Sequence, residues 1–153
     1  MGGDGMSLLR RRMMINSVVS ALSNPKLLYS AENMKLTNAS GEIAEQGVGI
    51  TEYYPVLVNQ TIKYFNPVTS HTVNDYLGNI IIYNSNKQNV DWWNCRADGN
   101  EGTFTQGKAE GAYFRLSVVM DTEADVYCYN QTTGQVYYAG INTPYYGKQN
   151  IND

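Results

Sequence analysis

Charge is scarce in this sequence: Asp, Glu, Lys and Arg make up 16% of its 153 residues, against about a quarter of an average soluble chain. The 11 basic and 14 acidic residues give a formal net charge of −3. Nothing in that balance would recruit nucleic acid non-specifically. Cysteine is also scarce. Two residues, Cys95 and Cys128, are too few for a disulfide-framework domain. A single bridge between them stays open, because spacing alone does not supply the geometry. The reading adopted is two thiols, with Cys128 a small core residue in a strand. His71 is the lone histidine, and with two cysteines at unrelated spacings it makes no zinc motif. P-loop, dinucleotide and nucleophile-elbow patterns are absent as well. The expectation is therefore a non-enzymatic protein without a cofactor. No run of about 20 apolar residues is present, which excludes a membrane-spanning helix.

What the chain has instead is tyrosine and asparagine. Of its 18 aromatic rings 13 are Tyr, and there are 17 Asn. With 42% hydrophobic residues it can bury a sizeable core, unlike disordered chains, which are short of aromatic and β-branched residues. Beyond Pro25 short β-prone runs recur between Gly, Asn, Asp and Pro, the signature of a sandwich or barrel. Candidate strands are 34–37, 49–54, 61–65, 79–83, 102–105, 112–119, 125–130 and 135–139. In 112–119, Ala112, Phe114, Leu116 and Val118 alternate with Tyr113, Arg115, Ser117 and Val119, which predicts one buried face and one wetter face. The triplet Ile80, Ile81 and Ile82 predicts a strand covered on both sides. Gln131-Thr132-Thr133-Gly134 reads as a hairpin loop. The fold class expected is mainly β, an antiparallel β-sandwich preceded by a short N-terminal helix.

Three segments follow: a basic anchor over 1–30, a sandwich over 31–140 and a tail over 141–153. The anchor carries Arg10, Arg11 and Arg12, then Met13 and Ile15. Leu8, Ile15, Val19 and Leu22 fall near helical spacing, and Asn24-Pro25 would stop the helix. The cluster resembles a secretory signal in outline, but Asn16, Ser17 and Ser20 interrupt its apolar run. Residues 1–5 read as a leader ahead of Met6. In the tail, Tyr145 and Tyr146 are expected to pack on a neighbouring surface, such as a second subunit.

Several residues are candidates for binding. Trp92 and Trp93 are neighbours, and in a strand neighbours face opposite sides. One is then core, and the other is an exposed platform for a sugar ring or a protein partner. Tyr113, Tyr127 and Tyr129 fall opposite the apolar faces and are expected at the surface. Arg115 is expected on the wetter face of its strand, meeting a surface acid or a glycan hydroxyl. Asp121, Glu123 and Asp125 could offer oxygen ligands to calcium, but no sharp-turn Gly follows the EF-hand pattern. An acidic connecting loop is the plainer reading. The sequons at Asn38, Asn59 and Asn130 carry no weight in so Asn-rich a chain.

The run Ile80-Ile81-Ile82-Tyr83-Asn84-Ser85-Asn86-Lys87-Gln88-Asn89-Val90 reads as strand, turn and strand start. It is followed by Thr103-Phe104-Thr105 and by Glu110-Gly111-Ala112-Tyr113-Phe114-Arg115-Leu116-Ser117-Val118. In this order the segments resemble jelly-roll, carbohydrate-binding-like modules of phage tail and other minor virion proteins, and of some bacterial surface proteins. Asn84 departs from the family's usual Asp, and Gln106-Gly107-Lys108 stands where a Pro-bearing loop is common. The opening Ser7-Leu8-Leu9-Arg10-Arg11-Arg12-Met13-Met14 resembles the starts of virion proteins of phages of gut bacteria. The resemblance implies a two-sheet sandwich, often trimeric, that displays or recognises surfaces. Its implied partners are other virion proteins at the N-terminal segment, further copies of itself, and a host-surface glycan. The other reading is a carbohydrate-binding module of a bacterial cell surface.

Overall fold

The strand 112–119 becomes the hub of the domain in the computed structural model, which describes residues 27–37, 41–66, 79–94 and 101–148. The strands are β1 (Tyr29–Leu36), β2 (Glu42–Thr51), β3 (Tyr54–Pro55), β4 (Thr61–Phe65), β5 (Asn79–Asn84), β6 (Asn89–Asn94), β7 (Glu101–Thr105), β8 (Gly111–Val119), β9 (Tyr127–Asn130) and β10 (Val136–Ala139). A 3-10 helix, Met120–Asp125, joins β8 to β9. One sheet runs β1-β2-β8-β5-β6, with β3 also paired to β8; the other runs β10-β9-β4-β7. All pairings are antiparallel.

Both sheets contribute to one core, a sandwich-like arrangement. The first sheet supplies Ile80, Ile82, Phe114, Leu116 and Val118, and the second supplies Ile62, Tyr64, Phe104, Cys128 and Tyr138. Aromatic rings bind its centre. Phe114 meets Tyr54, Phe104 and Tyr137 at centroid separations of 5.6, 5.8 and 5.0 Å, within the range where tilted and edge-to-face pairs are favourable. A register shift between Val136 and Tyr138 lets Tyr137 and Tyr138, adjacent in sequence, both enter this core. Strict alternation would send one of them outward.

Several expectations change here. The run 112–119 does not keep a wetter face: from Phe114 to Val119 every residue of β8 is buried. Ile50 stands opposite Ser117 and Ile81 opposite Arg115, and these join Leu36 and Tyr83 in a second apolar cluster on the sheet's outer side. The Leu36 N–H donates to Ser117 Oγ at 2.9 Å, so even the small hydroxyl on that face is used. The Ile triplet is buried on both sides as its run predicts. Strands β1 and β2 start earlier than 34 and 49, because a bulge opposite Asn33 lets the ladder resume beyond it. Asp125 lies in the 3-10 helix and not in β9.

The hairpin reading of 131–134 agrees with the geometry. Asn130 N–H donates to Gln135 O and Gly134 N–H to Asn130 O, both at 2.7 Å. Gly134 has φ of 84°, a region in which a side chain is strained. The two tail tyrosines part company. Tyr145 packs as expected, on its own domain, 4.6 Å from the Tyr127 ring and 4.7 Å from that of Tyr129, whereas Tyr146 stays exposed. The anchor residues Arg10, Arg11, Arg12, Met13 and Ile15, together with the expected helix, His71 and Cys95, lie outside the described residues.

Truncating the central ring gives a direct check of the shared core. Phe114→Ala is expected to cost about 3–5 kcal/mol, read as a lower urea midpoint with one cooperative transition.

Candidate functional site

Strand β6, an edge of its sheet among the described residues, holds their most exposed large aromatics. Trp92 and Trp93 are each 45% exposed, where one buried and one exposed ring were expected. The correction has a simple cause. Trp93, opposite Ile80, does turn inward and reaches Phe104 at 6.5 Å. At a sheet's edge, however, an inward ring is flanked on one side only, so it stays half open. Trp92, opposite Ile81, lies on the outer side. The two rings therefore straddle the edge, one on each face. Asp91 sits beside them and accepts the Trp92 N–H at Oδ1, 2.9 Å away.

Across the outer face of the same sheet lies a cation–aromatic cluster that the residue pattern did not reveal. Ile81 stands between Trp92 on β6 and Arg115 on β8. Arg115 is only 5% exposed, not surface-facing as expected. Its guanidinium lies 4.5 Å from the Tyr53 ring centroid and 5.8 Å from that of Tyr83. Nε donates to Thr51 O at 3.2 Å, Nη1 to the hydroxyls of Tyr53 and Tyr83 at 3.3 and 3.5 Å, and Nη2 to Ser30 Oγ and to Glu42 Oε1, the latter at 3.0 Å. Every arm of the fork is occupied. Burial opposes the charge, but Tyr83, Tyr53 and Glu42 more than offset it and hold the Arg115 pKa above its ordinary value. Burial likewise pushes the Tyr83 phenol up, against the lowering pull of Arg115. Lys87, at the β5–β6 turn with φ of 61°, places Nζ 4.7 Å from the Tyr53 centroid. Tyr113 completes the group, 6.1 Å from Tyr53. Arg115 thus positions rings and strands, and offers no free donor to a ligand.

The outer face of the second sheet carries its own tyrosine layer. Tyr127 is buried and Tyr129 half-buried, so neither is the open platform that composition alone suggests. Phe65 stacks on Tyr127 at 6.0 Å, Tyr145 caps Tyr127 and Tyr129, and Val136 and Ala139 lie beneath. Desolvation, then hydrogen bonding to Tyr145, pushes the Tyr129 phenol up to about 12. Burial and the nearby Glu101 carboxylate raise Tyr127 too. Lys63 pairs with Glu101 at 3.4 Å on the same face.

Asp121, Glu123 and Asp125 lie on the 3-10 helix. Among the described residues no group of three or more His, Cys, Asp or Glu side chains converges as a metal site. The structure therefore brings Trp92 onto one sheet face with Tyr113 and Arg115, gathers Tyr127 and Tyr129 on the other sheet, and leaves the acidic trio apart from both. Sequence reasoning missed Tyr53, Tyr83, Glu42 and Lys87 on the first face, and missed that Tyr145 closes the second. Tyr83 was discoverable, since it follows the Ile triplet at the outward alternation. In comparisons with known proteins the chain matches no family model, no curated protein and no solved structure.

Two outcomes test this description. Arg115→Lys keeps the charge but loses the planar fork, and is expected to cost about 1–3 kcal/mol of stability by urea titration. The tyrosines predict alkaline sensitivity. A phenol whose folded pKa lies above the unfolded value binds its proton more tightly when folded. That stabilisation is complete below pH about 10 and is lost as pH rises through the folded pKa. The urea midpoint should hold level to about pH 9 and fall from pH 10 to 12, with Tyr129→Phe shrinking the fall.

Proposed function

We propose that the chain is a non-enzymatic structural component of a bacteriophage virion. In this reading it is a fibre or decoration subunit, anchored through its N-terminal segment and presenting the sandwich for subunit contact or host-surface attachment. The contact role rests on one observation: Trp92 and Trp93 stay 45% exposed in a domain where most other rings are packed away. Exposed aromatic clusters mark interaction sites, and interface cores favour Trp and Tyr over Lys and Glu. Low overall charge supports the same reading.

The virion setting rests on the resemblance in residues 80–118. The segments that carry it form β5, the turn to β6, β7 and β8. The topology supports a jelly-roll form of the sandwich: β4 pairs with β9 in one sheet and β5 with β8 in the other. Nested pairs that alternate between two sheets are how a jelly roll is wound. Strands β6 and β7 depart from a regular roll, since each joins a different sheet in place of pairing with the other.

A second reading, a carbohydrate-binding module of a bacterial surface protein, is favoured by Asp91. An aromatic ring beside a carboxylate offers both a stacking face and a hydroxyl acceptor.

Deleting residues 1–24 separates anchoring from folding. The shortened chain should keep its urea transition and fail to join the assembled particle; normal incorporation would end the anchor proposal. Trp92→Ala and Trp93→Ala should each weaken attachment to host cells about tenfold or more, with little change in stability for the outward Trp92 and some loss for Trp93, which packs on Phe104. Calorimetric titration with neutral oligosaccharides separates the readings, because only the module reading requires saturable binding that those two substitutions abolish.

A further inference from the structure

The backbone of β6 carries a contact that surface recognition leaves unused. Trp92 stands opposite Ile81 of β5, yet its N–H donates to Asp91 Oδ1. That N–H therefore points off the sheet and not at β5. In an antiparallel ladder, residues alternate between exchanging both main-chain bonds with a neighbour and turning both groups away. Trp92 is of the second kind towards β5, and so is Asn94, two residues on. Among the described residues β6 pairs with β5 alone.

Natural edge strands are blunted by proline, lysine, shortness or a covering segment. The sequence of β6, Asn-Val-Asp-Trp-Trp-Asn, has no Pro and no Lys, and two half-exposed Trp rings sit on it. Its one charge is Asp91, and that carboxylate occupies the outward Trp92 N–H.

We propose that β6 is a strand-addition edge for a second copy of this chain, and that the Asp91 carboxylate is the latch that holds the edge until the copy arrives. The register argues for a copy over a foreign strand. A two-fold axis at Trp92, with the strands antiparallel, sets Trp92 against Trp92 of the second copy. Each Trp92 N–H then exchanges Asp91 for a main-chain carbonyl. The two Trp92 rings meet on one sheet face as a cross-strand aromatic pair, a stabilising arrangement. Asp91 falls opposite Trp93 of the second copy, so no like charges face each other. One symmetric, self-complementary register thus satisfies the outward donor, the rings and the charge together. It would supply one contact of the assembly proposed above, but it concerns the edge strand alone and stands or falls apart from the virion setting.

Sedimentation equilibrium of the full chain tests the pairing. Asp91→Ala removes the latch and is expected to tighten self-association about tenfold or more, since a hydrogen bond to a charged acceptor no longer has to be broken. Trp92→Pro removes the outward N–H, a change that an edge strand tolerates, and should abolish association in either background. An unchanged constant in Asp91→Ala, or association persisting in Trp92→Pro, would overturn the proposal. Should the Pro variant not fold, hydrogen exchange on the unaltered chain decides. Protection of the Trp92 amide must rise with chain concentration, and concentration-independent protection would equally overturn it.

Discussion

The domain depends on a strand that is buried on both faces and still carries a charge. Strand β8 pairs with β2 and β3 along one side and with β5 along the other, and between β2 and β3 the Thr51 hydroxyl accepts the Leu116 N–H. Its inward side chains Phe114, Leu116 and Val118 enter the shared core. The outward ones have no water to fall back on, and Arg115 is among them. Burying an unpaired guanidinium costs several kcal/mol, so the surrounding segments must converge on it. Ser30 comes from β1, Glu42 and Thr51 from β2, Tyr53 from the link to β3, and Tyr83 from β5. These contacts tie the β1–β2 ribbon, the link to β3 and strand β5 to one side chain of β8.

The same constraint explains the composition. A sheet face covered by short strands and loops has too little apolar partner surface for Leu and Ile alone, and too little water for Lys and Glu. Tyrosine suits that intermediate setting, because its ring packs while its hydroxyl finds a partner. The two outer faces therefore each hold a tyrosine group, one around Arg115 and one capped by Tyr145. Asparagine and glutamine serve the loops in a similar way. Asn130 Nδ2 donates to Gln60 Oε1 and to the Tyr137 hydroxyl, while its Oδ1 accepts the N–H groups of Thr132 and Thr133. Neutral amides tie the turns together without the desolvation cost of charge.

The strands were legible where one local pattern governed them. Thr61–Phe65 alternates cleanly and was read with its true limits, and the Ile triplet announced a strand covered twice. The bulge opposite Asn33 left β1 and β2 too short in the sequence reading, because bulges are set by cross-strand partners and not by alternation. The doubled burial of Tyr137 and Tyr138 escaped notice for the same reason. The candidate site was half legible. Trp92 and Trp93 stood out by residue type, but their shared exposure follows from β6 being an edge, and strand order is not written in a six-residue run. Arg115 was noticed and placed on the wrong side of the solvent boundary. Its partners lie 32 to 85 positions away in sequence, beyond any local pattern.

By itself the sequence determined a mainly β protein, poor in charge, with an apolar alternation strong enough to define β4, β5 and β8 and a turn at Gly134. Those properties follow from side-chain period and backbone preference, which act over a few residues. Only the tertiary structure decided which tyrosines are surface and which are wall. It also decided that both Trp rings stand open at an edge, and that the lone arginine of β8 is enclosed. Exposure depends on what the rest of the chain lays over a strand, and that is fixed by pairings between segments far apart in the sequence.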